Sequence, residues 1–248
     1  MSFTVNIDSI NYILNEDLTA IVSGYIKTNL CPNLVIPEVI NYNKISYFVK
    51  SIMVNAFYEC SIINSVIIGN SVVSIEDGAF YDCKNLTIVN IPASVNYIGI
   101  AAFASCTKLK SINVDKKNNS FSNDKYGVLY DKHKTRIIQV PLDNFNLYDY
   151  PNTFFVPHSV SEICDGAFFN CTNLISLFIP NNLKYIGACA FQDCTNLTDI
   201  FIDLNTSSLT IDAEAFVNIA PNNTIHYVKG YNTENIHDIF ANYDPPLI

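Results

Sequence analysis

The sequence predicts a repeat solenoid of short β-strands joined by tight turns, and two observations carry that assignment. The motif Ala-Phe-x-x-Cys recurs at Ala56-Phe57, Ala79-Phe80, Ala102-Phe103, Ala167-Phe168 and Ala190-Phe191, ending in Cys60, Cys83, Cys106, Cys171 and Cys194. Within each run the cysteines lie 23 residues apart. An apolar frame travels with the motif at constant phase. Ile52, Ile75, Ile98, Ile163, Ile186 and Ile211 stand four residues before each Ala, and Ile63, Leu86, Leu109, Leu174 and Leu197 stand three after each Cys. A period of about 20–29 residues in such a pattern marks coils that stack into a solenoid. A sixth copy, Ala215-Phe216, has Ile219 in the cysteine phase.

Each part of the unit predicts one element. The stretch L-x-x-(I/V)-x-I alternates at its end and is rich in β-branched residues, so it predicts a short strand. Pro92, Pro157 and Pro180 close several of these strands, because proline cannot donate to a ladder. The segment around Ala-Phe-x-x-Cys is too short for a full helix and predicts one α or 3₁₀ turn. One coil cannot bury its apolar face alone. Stacking therefore predicts a continuous core in which Phe57, Phe80, Phe103, Phe168 and Phe191 form one column, and Cys60, Cys83, Cys106, Cys171 and Cys194 another.

These I-P…V..I….AF..C…L columns resemble the BspA-like leucine-rich-repeat family, over roughly residues 30–228. The resemblance implies a leucine-rich-repeat solenoid, a right-handed β/α superhelix. Proteins of that family are typically surface-associated adhesins or recognition proteins of bacteria and some protists. The resemblance therefore implies a protein partner, on a host or neighbouring cell surface.

The remaining segments divide the chain as one repeat domain. Residues 1–29 predict an N-terminal capping hairpin, from INYIL (10–14) and LTAIVSGY (18–25). Residues 30–114 hold the first repeats. An insertion at 115–151 separates them from the second repeats at 152–228, since Cys171 follows Cys106 by 65 residues. In the insertion YGVLYD and TRIIQVP predict two strands around a Lys-rich turn. It widens one coil, or serves as a dedicated binding loop. Residues 229–248 predict a short capping helix with Ile236, Ile239, Phe240 and Tyr243 on one face, stopped by Pro245 and Pro246. Both ends of the array look complete.

Composition narrows the function. Apolar residues are 49% and charged residues 15%, which excludes a disordered polyelectrolyte. Net charge is −9, so no basic stripe is available for nucleic acid. No apolar run approaches the length of a membrane span. The opening MSFTVNIDSINYIL has no basic n-region or apolar h-region, which predicts no classical secretion and a cytoplasmic or non-classically surface-associated protein. The resemblance favours the cell surface.

No catalytic constellation emerges. The cysteine column contains no interleaved His, as a tetrahedral metal site would need, so no metal and no cofactor are predicted. Cys164 and Cys189 lie outside the column and are the likelier reactive or paired thiols. Asp77, Asp165 and Asp212 precede the turns and predict local backbone bonding. Among the glycosylation sequons, Asn118 in the insertion is the most accessible by position. One column suggests a binding site. In the strand phase that faces outward stand Ile67, Asn90 and Asn113, then Phe155, Phe178, Phe201 and Tyr227. The last four predict an outward aromatic ladder, either self-stacked for stability or covered by the insertion, or else a patch that holds the partner. The expected function is non-catalytic protein recognition, with surface adhesion as the family-implied setting. The alternative is a structural or assembly component, and self-association fits either.

Overall fold

A computed structural model describes residues 2–145, 150–203 and 209–228 of the chain. Its geometry starts at the Ala-Phe-x-x-Cys turn. The residue before each Ala has positive φ at Asn55, Gly78, Ala101, Gly166 and Cys189, as does the residue before each Cys at Glu59, Asp82, Ser105, Asn170 and Asp193. Two left-handed residues four apart forbid a helical run. Instead they close consecutive tight turns, with Ala56 N–H on the Met53 carbonyl at 3.1 Å and Cys60 N–H on the Phe57 carbonyl at 3.1 Å. A positive φ at the third residue of such a turn is the type II pattern, which explains the Asn, Asp and Gly found there. The expected α or 3₁₀ turn is therefore corrected. Among the described residues there is no α-helix, and a 3₁₀ turn spans Lys27–Asn29, before the coils begin. Over the described residues the coils are therefore all-β and not the β/α superhelix expected.

The coils begin after a meander of β1 (Phe3–Ile7), β2 (Ile10–Leu14) and β3 (Thr19–Tyr25). These strands are antiparallel, and β1 stands at the outer edge. The first coils hold β4 (Asn33–Ile36), β5 (Val39–Tyr42), β6 (Ile45–Ile52), β7 (Ser65–Ile68), β8 (Ser74–Ile75), β9 (Ile88–Ile91), β10 (Tyr97–Ile98) and β11 (Ser111–Val114). The insertion holds β12 (Phe121–Asn123), β13 (Leu129–Asp131) and β14 (Arg136–Gln139). The later coils hold β15 (Thr153–Phe155), β16 (Glu162–Ile163), β17 (Ser176–Ile179), β18 (Tyr185–Ile186), β19 (Asp199–Asp203), β20 (Thr210–Ile211) and β21 (Thr224–Val228).

Stacking these coils makes two kinds of parallel sheet. A broad strand face runs β4-β7-β9-β11, breaks, and resumes as β15-β17-β19-β21. A narrow ladder runs β3-β6-β8-β10, breaks, and resumes as β14-β16-β18-β20. The turns add a third line of bonds between coils: Phe57 N–H to Ala79 O, Phe80 to Ala102, Phe168 to Ala190 and Phe191 to Ala215, each at 2.8 Å. Side chains reinforce it. The Asp77 carboxylate accepts from Ile100 N–H at 2.8 Å and Asp165 from Ala188 N–H at 2.9 Å, both on the next coil. Asp212 instead accepts locally, from Glu214 N–H at 2.9 Å. Glycine is needed opposite these carboxylates, since a Cβ on Gly99 would lie 2.3 Å from Asp77 Oδ1.

The insertion is pinned to the array. β13 pairs antiparallel with β12 and β14, and β14 continues the narrow ladder by pairing parallel with β16. Asn118 is the pin. It is fully buried, which corrects its expected accessibility. Its Nδ2 donates to the Pro92 and Val95 carbonyls at 2.8 and 2.9 Å, and its Oδ1 accepts from Ser120 and Phe121 N–H. Every hydrogen-bonding position of that amide is used, so burial carries no penalty. The helix expected over 229–248 lies outside the described residues.

Two predictions follow from the turn. Ala101 adopts φ 53° without being glycine, in a conformation that costs an L-residue about 1–2 kcal/mol. Ala101→Gly should therefore raise stability by about 1 kcal/mol, read as a higher urea midpoint at unchanged m. Phe103 is buried and stacks on Phe80 at 5.5 Å. Phe103→Ala should cost about 3–5 kcal/mol, and a melt close to the parent's would contradict the stacking.

Candidate interaction surfaces

The inward columns leave their side chains no chemistry to offer. Phe57, Phe80 and Phe103 stack at 5.1 and 5.5 Å with nearly parallel rings, and Phe168, Phe191 and Phe216 continue at 4.6 and 4.9 Å. The thiols of Cys83, Cys106 and Cys194 donate to the carbonyls of Phe57, Phe80 and Phe168 at 3.2, 3.2 and 3.3 Å. Each bond ties one coil to its predecessor. Burial pushes the Cys194 thiol up to about 12 and holds those of Cys60 and Cys171 above their ordinary value. All eight cysteines are free. Cys164 and Cys189 are not joined; their thiols face Glu162 and Glu214 at 3.6 and 3.8 Å. Among the described residues no group of three or more His, Cys, Asp or Glu could hold a metal ion.

The predicted aromatic ladder exists but does not face solvent. Phe155, Phe178 and Phe201 stack at 4.6 and 4.2 Å. Phe178 is 0% exposed and Phe201 2%, so the outward position is not an open one. Both faces of β17 are buried, and the rings pack with Tyr150 and Val228 in a small core of their own. The fourth member is also corrected. Phe201 pairs with His226, 25 residues on rather than 23, and their rings stack at 4.5 Å. Tyr227 pairs with Ile202 and is 66% exposed. A strand has period two, so one residue of slip sends a side chain to the other face. His226 Nε2 also meets the buried Asp199 carboxylate at 2.8 Å.

Two other surfaces are open. On the first half of the strand face the outward column is Val35, Ile67, Asn90 and Asn113. Val35 and Ile67 are exposed, and Asn113 Nδ2 donates to Asn90 Oδ1 at 3.1 Å. On the turn face, the residue after each Ala-Phe points outward. Tyr58 and Tyr81 stack there at 5.3 Å, and Phe169 meets Tyr81 at 5.8 Å across the buried methyl of Ala104. Tyr58 is 44% exposed; Tyr81 and Phe169 are half-buried. The next column along is acidic at three of its five positions, Glu59, Asp82 and Asp193, with Ser105 and Asn170 between them. A hydrogen bond to Glu59 raises the Tyr58 hydroxyl, and burial raises that of Tyr81. Sequence reasoning passed over this row, although the signal was present: an aromatic follows Ala-Phe in three of the first four copies, and the small Ala104 in the other lets Tyr81 reach Phe169.

The repeat is a known one. Six copies of the BspA type leucine rich repeat region match residues 37–141 and 141–243. The chain belongs to the BspA-type leucine-rich-repeat family. Solved leucine-rich-repeat proteins have similar coils at low identity. The protein TpLRR of T. pallidum is 19% identical over 98% of this chain and 97% of its own, with TM-score 0.45. A leucine-rich repeat protein of Eubacterium ventriosum is 17% identical over 94% and 97%, with TM-score 0.43. The pneumococcal vaccine antigen PcpA is 18% identical over 94% and 89%, with TM-score 0.36. No curated protein matches the sequence closely. Membership of this repeat family is consistent with a protein-interaction role.

Two outcomes test these surfaces. Phe178→Ser and Phe201→Ser should each destabilise by about 3–5 kcal/mol, because a buried ring is lost from the second core. Thiol titration of the native protein should label the exposed Cys31 readily. It should label Cys60, Cys83, Cys106, Cys171 and Cys194 only on unfolding, because all five are buried out of reach of the reagent.

Proposed function

We propose that this protein is a non-catalytic recognition protein that holds a protein partner on the exposed faces of its solenoid, in the setting of cell-surface adhesion. The observation that carries the reading is the turn-face row Tyr58, Tyr81 and Phe169, three outward aromatics of which the first two are followed by the carboxylates Glu59 and Asp82. Aromatic side chains bring large contact area with few rotors to freeze, which is why they dominate binding hot spots. The acidic neighbours and the net charge of −9 favour a neutral or basic partner surface. Tyr227 is a secondary contact in this proposal, since it is the member of the predicted ladder that stands clear of the core.

The test is surface plasmon resonance against purified cell-surface proteins, comparing the parent with a Tyr58→Ser/Tyr81→Ser variant. The variant should keep its melting temperature within a few degrees and lose about 2 kcal/mol or more of binding, some thirtyfold in Kd. Unchanged binding would remove the turn face from the reading. A specific observation favours assembly as the second reading. Strand β4 ends its sheet with an open edge and presents the exposed Val35 beside Ile67. Open apolar edges pair with copies of themselves. Light scattering that found oligomers dissolved by Val35→Lys would favour that reading.

A further inference from the structure

The insertion interrupts the narrow ladder and leaves one sheet edge open inside the array. Up to the terminal β20, the other coils of this ladder have their carbonyls taken by the next coil. Val73 O accepts from Asn96 N–H, Ile75 O from Gly99, Ser161 O from Lys184 and Ile163 O from Gly187, all at 2.8–2.9 Å. The run stops at β10, which ends its sheet, and the next sheet begins with β12. Among the described residues none donates to the carbonyls of Asn96 and Ile98. Exposed edges are normally blunted by proline, lysine, a bulge or a covering segment. The stretch Asn96-Tyr97-Ile98-Gly99-Ile100 has no proline or lysine.

A cleft of about 550 Å³ lies against this edge. Asn96, Ile98 and Ile100 line one side, and Phe121 and Ile138 of the insertion line another. Arg136, Glu162, Asp165 and Tyr185 complete it. Tyr97 and Ile100 line it at 48% and 56% exposure, so it is reachable from solvent. Its one cation is already engaged, because Arg136 meets Glu162 at 2.8 Å. Asp131 and Asp165 add two more carboxylates to the lining. The cleft therefore joins unpaired main-chain acceptors, apolar and aromatic walls, and an excess of negative charge.

We propose that this cleft binds an extended segment of a partner protein, which adds to the β10 edge as a strand and carries a lysine or arginine toward the Glu162–Asp165 side. Strand addition supplies main-chain hydrogen bonds, and alternate side chains supply the specificity. A cationic side chain is selected over an anionic one by the lining carboxylates. The proposal rests on the recognition role above but uses a separate surface, so the two fail separately.

Fluorescence anisotropy with end-blocked, labelled eight-residue peptides tests it. The probes are an alternating Val–Lys peptide, its Val–Glu counterpart, and a Val–Lys peptide N-methylated at every second amide. Val–Lys should bind with Kd below about 1 mM. The Val–Glu and N-methylated peptides should bind at least tenfold more weakly. Tyr97→Lys, placed at the edge on an exposed side chain, should weaken Val–Lys binding at least tenfold; Ile100→Lys serves if Tyr97→Lys lowers the melting temperature. The Tyr58→Ser/Tyr81→Ser variant should bind the peptide like the parent, whatever it does to the partner of the turn face. Three peptide-binding results would overturn the proposal: no Val–Lys binding at 1 mM, equal binding of the N-methylated peptide, or Val–Glu binding as tight as Val–Lys. Light scattering that showed a dimer abolished by Tyr97→Lys would give the edge to a second copy of the chain, and the proposal would fall.

Discussion

Everything in this solenoid depends on the turn in which Ala and Phe face inward between two left-handed residues. Those residues reverse the chain without a helix, which keeps each coil thin enough to stack at strand spacing. The same turn aims Phe and Cys at the axis, where each ring lies on the one before it and buried thiols reach back to a phenylalanine carbonyl. Main-chain bonds between turns, strands and the narrow ladder all follow from that registration. A shift of one residue in any coil would move its strand side chains to the wrong face and its thiol away from its acceptor.

Strict repetition inside leaves the outside free to vary. Outward positions carry exposed Val and Ile, then an asparagine pair, then buried aromatics along the strand face, and Tyr, Ala, Phe and Gln along the turn face. The core does not constrain these choices, so function has to be sought there. The second aromatic ladder shows the limit of that rule. Phe178 and Phe201 occupy outward positions and are nonetheless buried, so the later coils have a core on both sides of the sheet.

The insertion is the other departure from repetition. Asn118 anchors it, with four hydrogen bonds into the preceding coil and its own loop, and the Lys132 ammonium donates to the Asn118 carbonyl. Strand β14 then resumes the narrow ladder and Val140 donates to Ala167, so the later coils start in register. What the insertion does not restore is the bond between β10 and a following strand. That loss is local, and it coincides with the cleft.

Several features were legible in the sequence alone because they depend on local periodicity. The 23-residue spacing, the inward Phe and Cys columns and the strands ending before proline follow from side-chain alternation and from proline's missing donor. The Asn, Asp and Gly before Ala and Cys also carried the turn chemistry, although a single helical turn is what the segment's length suggests; only the backbone dihedrals separate the two. Other features required the tertiary structure. Exposure of Phe178 and Phe201 depends on what packs over the strand face, and alternation says only which side a ring is on. His226 replaces Tyr227 in the ladder because the last coil is two residues longer; the 25-residue step from Ala190 to Ala215 marks that length, but only the strand pairing shows which residue takes the place. Asn118 is buried because its amide finds two carbonyls on another coil, a match made by folding and not by spacing. The open edge at Asn96 and Ile98 exists only relative to a neighbour that the insertion displaces. Local rules determine each coil, and contacts between coils decide which surfaces remain for a partner.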